Sequence, residues 1–277
     1  MPIWHRSTRV WDGFAAVSFS VSVCFVCWAF SFAASFGPDF TITIHPLGFA
    51  IDTSFILLTA ATFVPGLYCV SAYPECRSSL RKVNASWKVY FVAIATGLSL
   101  PFLSYPGTHY LAFPWGREAA THLGRVFALN LFLAPFWEEI VWRGCFLKKV
   151  RSFSSASKGV LVMSVGWTVW HGGYIAFLYS RGTPIDVLFV YAIIVFCVGI
   201  ILGSVFELGR GGLWPCILLH ASFNAATAVY CSEYSRASEL GSYVSELVFA
   251  AIAAAAFFTI AIRRSRHSQP PSELAAV

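Results

Sequence analysis

Eight apolar runs, each about long enough to cross a bilayer, leave this chain little choice but a bundle of membrane helices. A spanning helix takes about 20 mostly apolar residues, and such runs fall at 14–36, 47–72, 87–105, 126–147, 158–179, 184–206, 213–231 and 243–262. Inside hydrocarbon each backbone N–H and C=O must be satisfied within its own segment, so the runs read as helices. The connections carry the expected breakers, among them Gly37-Pro38, Pro74, Pro106-Gly107 and the glycines from Gly209 to Gly212. Only 12% of the 277 residues are charged, against roughly 25% in a soluble domain. The expected fold is therefore all-α: a polytopic integral membrane protein of about eight transmembrane helices around a central polar cavity, forming one domain over 1–277 with no internal repeat.

A net charge of +6 raises the question of nucleic acid, but the basic residues sit in short connections between apolar spans rather than on a solvated patch. Nucleic acid is excluded as a partner, and the bilayer accounts for the charge. Most of the 19 Lys and Arg fall on one side, including Arg77, Arg81 and Lys82 in the second connection, Lys148, Lys149 and Arg151 in the fourth, and Arg263 and Arg264 at the end of the last span. Under the positive-inside rule both termini face the cytoplasm. The first run, about 23 residues, exceeds the 7–15 of a signal-peptide core and reads as an uncleaved anchor. Residues 106–125 read as an outer connection with a short interfacial helix, Tyr110 and Trp115 suiting the headgroup region. The tail 265–277, with Pro270-Pro271, is expected to be disordered. Eight cysteines are scattered, mostly within apolar runs, and read as small packing residues rather than a disulfide framework; Cys24 and Cys27 form the one close pair.

Against this background the stretch "LFLAPFWEEIVWRGCFL", residues 131–147, is costly. A charge at the centre of a spanning helix costs about 2.5–3.5 kcal/mol on insertion scales, so it normally faces the bundle interior and marks function. Glu139 and Arg143 are four apart, share a helical face and can pair. Glu138 is rotated about 100° away and has no local cation. The asymmetry suggests one carboxylate placed for structure and the other left free for chemistry; the alternative is that both join an interhelical salt network. Pro135 releases a backbone carbonyl near Leu131 and can kink or widen the helix. Trp167 and His171 in "GWTVWHGGY" again share a face, as do His220 and Asn224 in "LWPCILLHASFNA". At 1.5 Å per residue, Glu138, His171, His220 and Asn224 all lie within about 4 Å of the middle of their spans. Unrelated structural polar residues would scatter more in depth. Asp52, Asp186, Glu207 and Glu246 lie near span ends and read as solvated.

Taken together, "EEIVWR" (Glu138 to Arg143), "WTVWH" (Trp167 to His171) and "HASFN" (His220 to Asn224), in that order on three late spans, resemble the CAAX protease and bacteriocin-processing (CPBP, or Abi) family. Its motifs are Glu-Glu-x-x-x-Arg, aromatic-x-x-x-His and His-x-x-x-Asn or Asp. The ordered trio is more specific than any one motif, and the likeness covers about 126–231, a catalytic core within the single domain. Trp167 stands where the family more often has Phe. The family includes the Ras-converting CAAX endopeptidase of the endoplasmic reticulum.

The resemblance implies an intramembrane glutamic endopeptidase. Glu138 and His171 would activate a water, His220 and Asn224 would hold the oxyanion, and Glu139, Arg143 and Trp167 would support the fold. Some descriptions of the family call it a metalloprotease, and Glu138, His171 and His220 offer two nitrogens and one oxygen to zinc. The metal-free mechanism is favoured, with no cofactor, because Asn224 then has a task and no carboxylate that would orient either histidine is evident in the sequence. His-Glu-x-x-His and a Ser or Cys dyad are absent, which leaves zincin and covalent readings without their signatures. The expected partners are the lipid bilayer and a membrane-associated protein or peptide substrate. The compact chain favours a bacterial inner membrane, or the endoplasmic reticulum in a eukaryote. The competing reading is a non-catalytic membrane protein that binds a peptide in the same cavity, as in bacteriocin self-immunity.

Overall fold

The computed structural model describes residues 4–36, 41–44, 49–103, 116–234 and 240–267. They form helices apart from one short hairpin. The order is α1 (Trp4–Phe36), β1 (Thr41–Ile44), β2 (Phe49–Asp52), α2 (Thr53–Ala72), α3 (Pro74–Arg81), α4 (Trp87–Leu103), α5 (Arg117–Asn130) and α6 (Ala134–Glu139). A π-helix (Ile140–Leu147) follows, then α7 (Lys148–Arg151), α8 (Ala156–Ser180), α9 (Ile185–Leu208), α10 (Trp214–Tyr234) and α11 (Leu240–His267). β1 and β2 pair antiparallel, Thr41 opposite Asp52 and Ile44 opposite Phe49.

Among the described residues four helical stretches are long and apolar enough to cross a membrane: Ser18–Ser35, Ala156–Ser180, Ile185–Leu208 and Tyr243–Arg264. The protein is integral to a membrane. A fifth span arises if α2 and α3, bent by 99° at Tyr73, are taken together. The other expected spans fall short for different reasons. The described part of α4, 17 residues, reaches about 26 Å against the roughly 30 Å of a hydrocarbon core. α10 is diluted by His220 and Asn224. The 126–147 run is not one helix at all: α5 ends at Asn130, the chain turns through 131–133, and α6 restarts with a proline in its first turn. Pro135 has no N–H to give, so the break falls where its ring would clash with the preceding turn. Here the expectation of a single kinked helix is corrected.

Close approaches hold the bundle together. α4 packs along α10, and a Cβ on Gly97 would collide with the Leu219 carbonyl oxygen and lie 2.7 Å from Ser222 Cβ. Only a hydrogen fits there, as small residues allow between membrane helices. α1 packs on α8, where Trp28 donates its indole N–H to the Val169 carbonyl at 3.2 Å. α9 lies between α8 and α11 and buries Ile194, Val198, Ile201, Leu202 and Val205.

The start of α10 is tied to α3. Trp214 Nε1 donates to the Leu80 carbonyl at 2.9 Å, and Leu213 N donates to the Ser79 carbonyl at 3.3 Å. The turn feeding it has Arg210 at φ 56° and Gly211 at φ 77°. A side chain at Gly212 would meet the Lys82 carbonyl at 2.7 Å.

Several sequence expectations need correction. Cys76 and Cys145 form a disulfide that fastens α3 to the π-helix, so two of the scattered cysteines are a covalent link rather than packing residues. Their approach depends on the turn of α3 beneath the π-helix, which spacing along the chain does not reveal. Cys24, Cys27, Cys69, Cys197 and Cys216 are free. Glu207 does not merely face water: Arg151 Nε pairs with it at 2.9 Å across α7 and α9. α11 stays helical through His267, past the expected start of the tail at 265; the remainder of that tail, and Tyr110 and Trp115 of the outer connection, lie outside the described residues.

Candidate active site

The turn at 131–133 and the π-helix bracket the two glutamates. α6 delivers Glu138 and Glu139 in its last turn, and the π-helix begins at the next residue. Wide helical turns of this kind recur at functional sites because they rotate side chains out of the regular register. Glu138 is 6% exposed, Glu139 and Arg143 0%, and His220 4%. His171 and Asn224 are half-buried, so the cluster opens on their side.

The pair expected from the four-residue spacing is present: Arg143 Nη1 donates to Glu139 Oε1 at 3.0 Å. That same oxygen accepts from His220 Nδ1 at 2.8 Å. Glu139 therefore does more than neutralise Arg143, because it also orients a histidine from α10. Spacing along the chain does not reveal this carboxylate, since the two residues are 81 positions apart. This removes one of the reasons for favouring metal-free chemistry.

Glu138 has a different environment. Trp167 Nε1 donates to its Oε2 at 3.1 Å, leaving Oε1 with no partner of this kind among the described residues. The Trp167 ring also meets His171 edge-on at 4.6 Å between centroids and His220 at 5.5 Å, and the Arg143 guanidinium lies 4.6 Å from its centroid. Phe in that position could make the ring contacts but not the hydrogen bond. The departure at 167 thus has a consequence for Glu138 that the sequence alone did not indicate.

The hydrogen bonds also assign the histidine protons. His171 Nδ1 lies 2.9 Å from the Trp167 carbonyl, which can only accept, so Nδ1 carries a hydrogen, and in the neutral ring Nε2 is then the acceptor. His220 gives its Nδ1 hydrogen to Glu139 by the same reasoning, and its Nε2 faces away from that carboxylate. Asn224, one turn further along α10, lies 3.4 Å from Asn130 Oδ1 through its Nδ2. Asn130 was not singled out from the sequence. The available signal was an amide inside an apolar run, five residues before Pro135.

Among the described residues no three His, Cys, Asp or Glu side chains converge closely enough to hold a metal. Glu138, His171 and His220 are brought into one cluster by Trp167, but as placed they do not form a zinc triad. The arrangement does offer a partnered carboxylate with one oxygen free, two imidazole Nε2 atoms and one amide.

Residues 121–226 match the family of type II CAAX prenyl endopeptidases described as Rce1-like. The matched segment covers less than half of the chain. It runs from α5 to α10 and contains all three motifs, in agreement with the CPBP resemblance read from the sequence. The family's description is that of an endopeptidase, and in this chain the matched segment lies among helices long and apolar enough to cross a membrane. No curated protein matches the chain.

Proposed function

We propose that this protein is an intramembrane endopeptidase that hydrolyses a peptide bond of a membrane-associated protein or peptide with a water activated by Glu138. The observation that carries this reading is the position of Trp167, which contacts Glu138, His171 and His220, members of all three motifs. A water held between Glu138 Oε1 and His171 Nε2 gives up a proton to the carboxylate as its oxygen attacks the scissile carbonyl. The resulting oxyanion takes hydrogen bonds from Asn224 Nδ2 and His220 Nε2. To donate from Nε2 the His220 ring must carry both protons, and the Glu139 carboxylate at Nδ1 is the counter-charge for that state. Each such donor is typically worth about 2.7–4 kcal/mol toward the transition state. Collapse of the tetrahedral intermediate breaks the C–N bond, and Glu138 returns the proton to the leaving amine.

In this reading the eight apolar runs all cross the bilayer, the broken 126–147 segment included, with both termini on the basic, cytoplasmic side and the motifs lining a central cavity. Irregular backbone at that depth is tolerated where it lines a cavity within the protein.

The test is direct. The purified protein in lipid nanodiscs is mixed with a farnesylated peptide ending in a cysteine, two aliphatic residues and a variable residue, and with its unprenylated counterpart. Release of the C-terminal tripeptide by the wild type and not by Glu138→Gln supports the proposal. Binding of the peptide by both proteins with no cleavage by either supports the competing reading, a peptide-binding protein of the self-immunity kind.

A further inference from the structure

We infer that Asn130, the last residue of α5, is a positioning residue that aims the Asn224 amide at the oxyanion. The inference rests on the endopeptidase reading and adds a part to it. Asn130 Nδ2 donates to the Val126 carbonyl at 2.9 Å, one turn back along its own helix. A carbonyl cannot donate, so this bond fixes which end of the Asn130 amide is nitrogen and turns its Oδ1 toward α10. Asn224 meets that oxygen at 3.4 Å, and only its Nδ2 can donate there. The orientation of the Asn224 amide is thus set by a chain of two hydrogen bonds starting at a helix backbone.

The consequence concerns hydrogen count. The Asn224 NH2 group has two hydrogens, and Asn130 engages one. The other is left for a developing negative charge, while Asn224 Oδ1, which would repel that charge, is directed away. Without Asn130 the amide can rotate by 180° and present oxygen in place of nitrogen. Preorganised donors stabilise an oxyanion because they need no reorientation during the reaction, so a freely flipping amide loses much of its value.

The location also fits a device of this type. Asn130 lies at the end of α5, just before the turn at 131–133, and α5 packs against α10. The same backbone break that restarts the chain as α6, and so delivers Glu138, ends α5 beside Asn224. One interruption of the helix serves both the base and the oxyanion donor.

The experiment is a double-mutant cycle on kcat and KM, using the farnesylated peptide and the full chain in nanodiscs. Asn130→Leu, and Asn130→Ala as a second variant if leucine impairs folding, should lower kcat about tenfold with KM within about twofold, because the effect is confined to the transition state. In an Asn224→Ala background, read by single-turnover kinetics, the same change at 130 should have no further effect. A packing role would instead lower kcat by the same factor in both backgrounds, and that result overturns the inference. So does an Asn130 variant with wild-type kcat. A wild type that cleaves while Asn224→Ala retains full kcat overturns the role of Asn224 and this inference together, but leaves the endopeptidase reading standing. A wild type that cleaves neither this peptide nor any protein of its own membrane overturns the endopeptidase reading, and the inference with it.

Discussion

α9 and the segment from Asn130 to Leu147 pass through the same bundle but are built on opposite rules. α9 runs unbroken for 24 residues, buries aliphatic side chains, and keeps its acidic residues, Asp186 and Glu207, at its ends. The 130–147 segment breaks at 131–133, changes to π geometry after Glu139, and buries two carboxylates and a guanidinium. The first arrangement spans a membrane at little cost. The second is expensive, and Trp167 and His220 offset part of that cost by hydrogen bonding to the buried carboxylates. The comparison teaches that the long apolar spans are regular, while the two buried carboxylates sit where the backbone is irregular.

The sharpest way to test that division is within one dipeptide. Glu138→Gln is nearly isosteric and keeps a group that can meet the Trp167 N–H, so it should leave folding intact and reduce turnover by about 10²–10⁴-fold. Glu139→Ala should do the reverse in kind. It strands Arg143 in the bundle and removes the partner of His220, and breaking a buried pair from one side costs about 3–5 kcal/mol. The expected outcome is a large loss of folded protein, measured by size-exclusion profile and thermal unfolding in detergent. If Glu139→Ala folds normally, the contrast between the two glutamates fails.

A smaller effect separates Trp167 as a hydrogen-bond donor from Trp167 as a ring. Trp167→Phe preserves the aromatic contacts but leaves Glu138 Oε2 without its donor. A hydrogen bond to a charged group is worth about 1.5–3 kcal/mol, so kcat should fall by about one to two orders of magnitude with little change in unfolding temperature. Gly97→Ala probes the regular part of the bundle. Its methyl would press on the Leu219 carbonyl, and overpacking of this kind costs about 1–3 kcal/mol, seen as a lower unfolding temperature. Smallest is Arg151→Ala. Its pair with Glu207 is partly exposed, and such pairs contribute about 0–1 kcal/mol, so neither turnover nor unfolding temperature should move appreciably.

The regular half of the molecule was far more legible than the irregular half. α8, α9 and α11 follow from hydropathy alone, because a long apolar run in hydrocarbon has no alternative to a helix. The three motifs were equally legible, since four-residue spacing places Glu139 with Arg143, Trp167 with His171 and His220 with Asn224 on common faces. What was not legible depends on contacts between distant segments. Glu139 reaching His220, Cys76 reaching Cys145 and Arg151 reaching Glu207 each require knowing which helices are neighbours. Pro135 announced a disturbance in the fourth run, but a proline specifies neither a complete break nor the π-helix that follows. The role of the indole N–H at Trp167 was hidden for the same reason, because its acceptor lies 29 residues upstream.

The central claim is that Glu138 makes this chain a protease. The most direct measurement compares protein and peptide termini, by quantitative mass spectrometry, in membranes carrying the wild type or Glu138→Gln at matched, folded abundance. The account predicts a set of new termini that appears with the wild type and is absent with Glu138→Gln, and those termini would identify the substrates. Identical termini in both membranes, under conditions where the wild type produces its cellular phenotype, would contradict it.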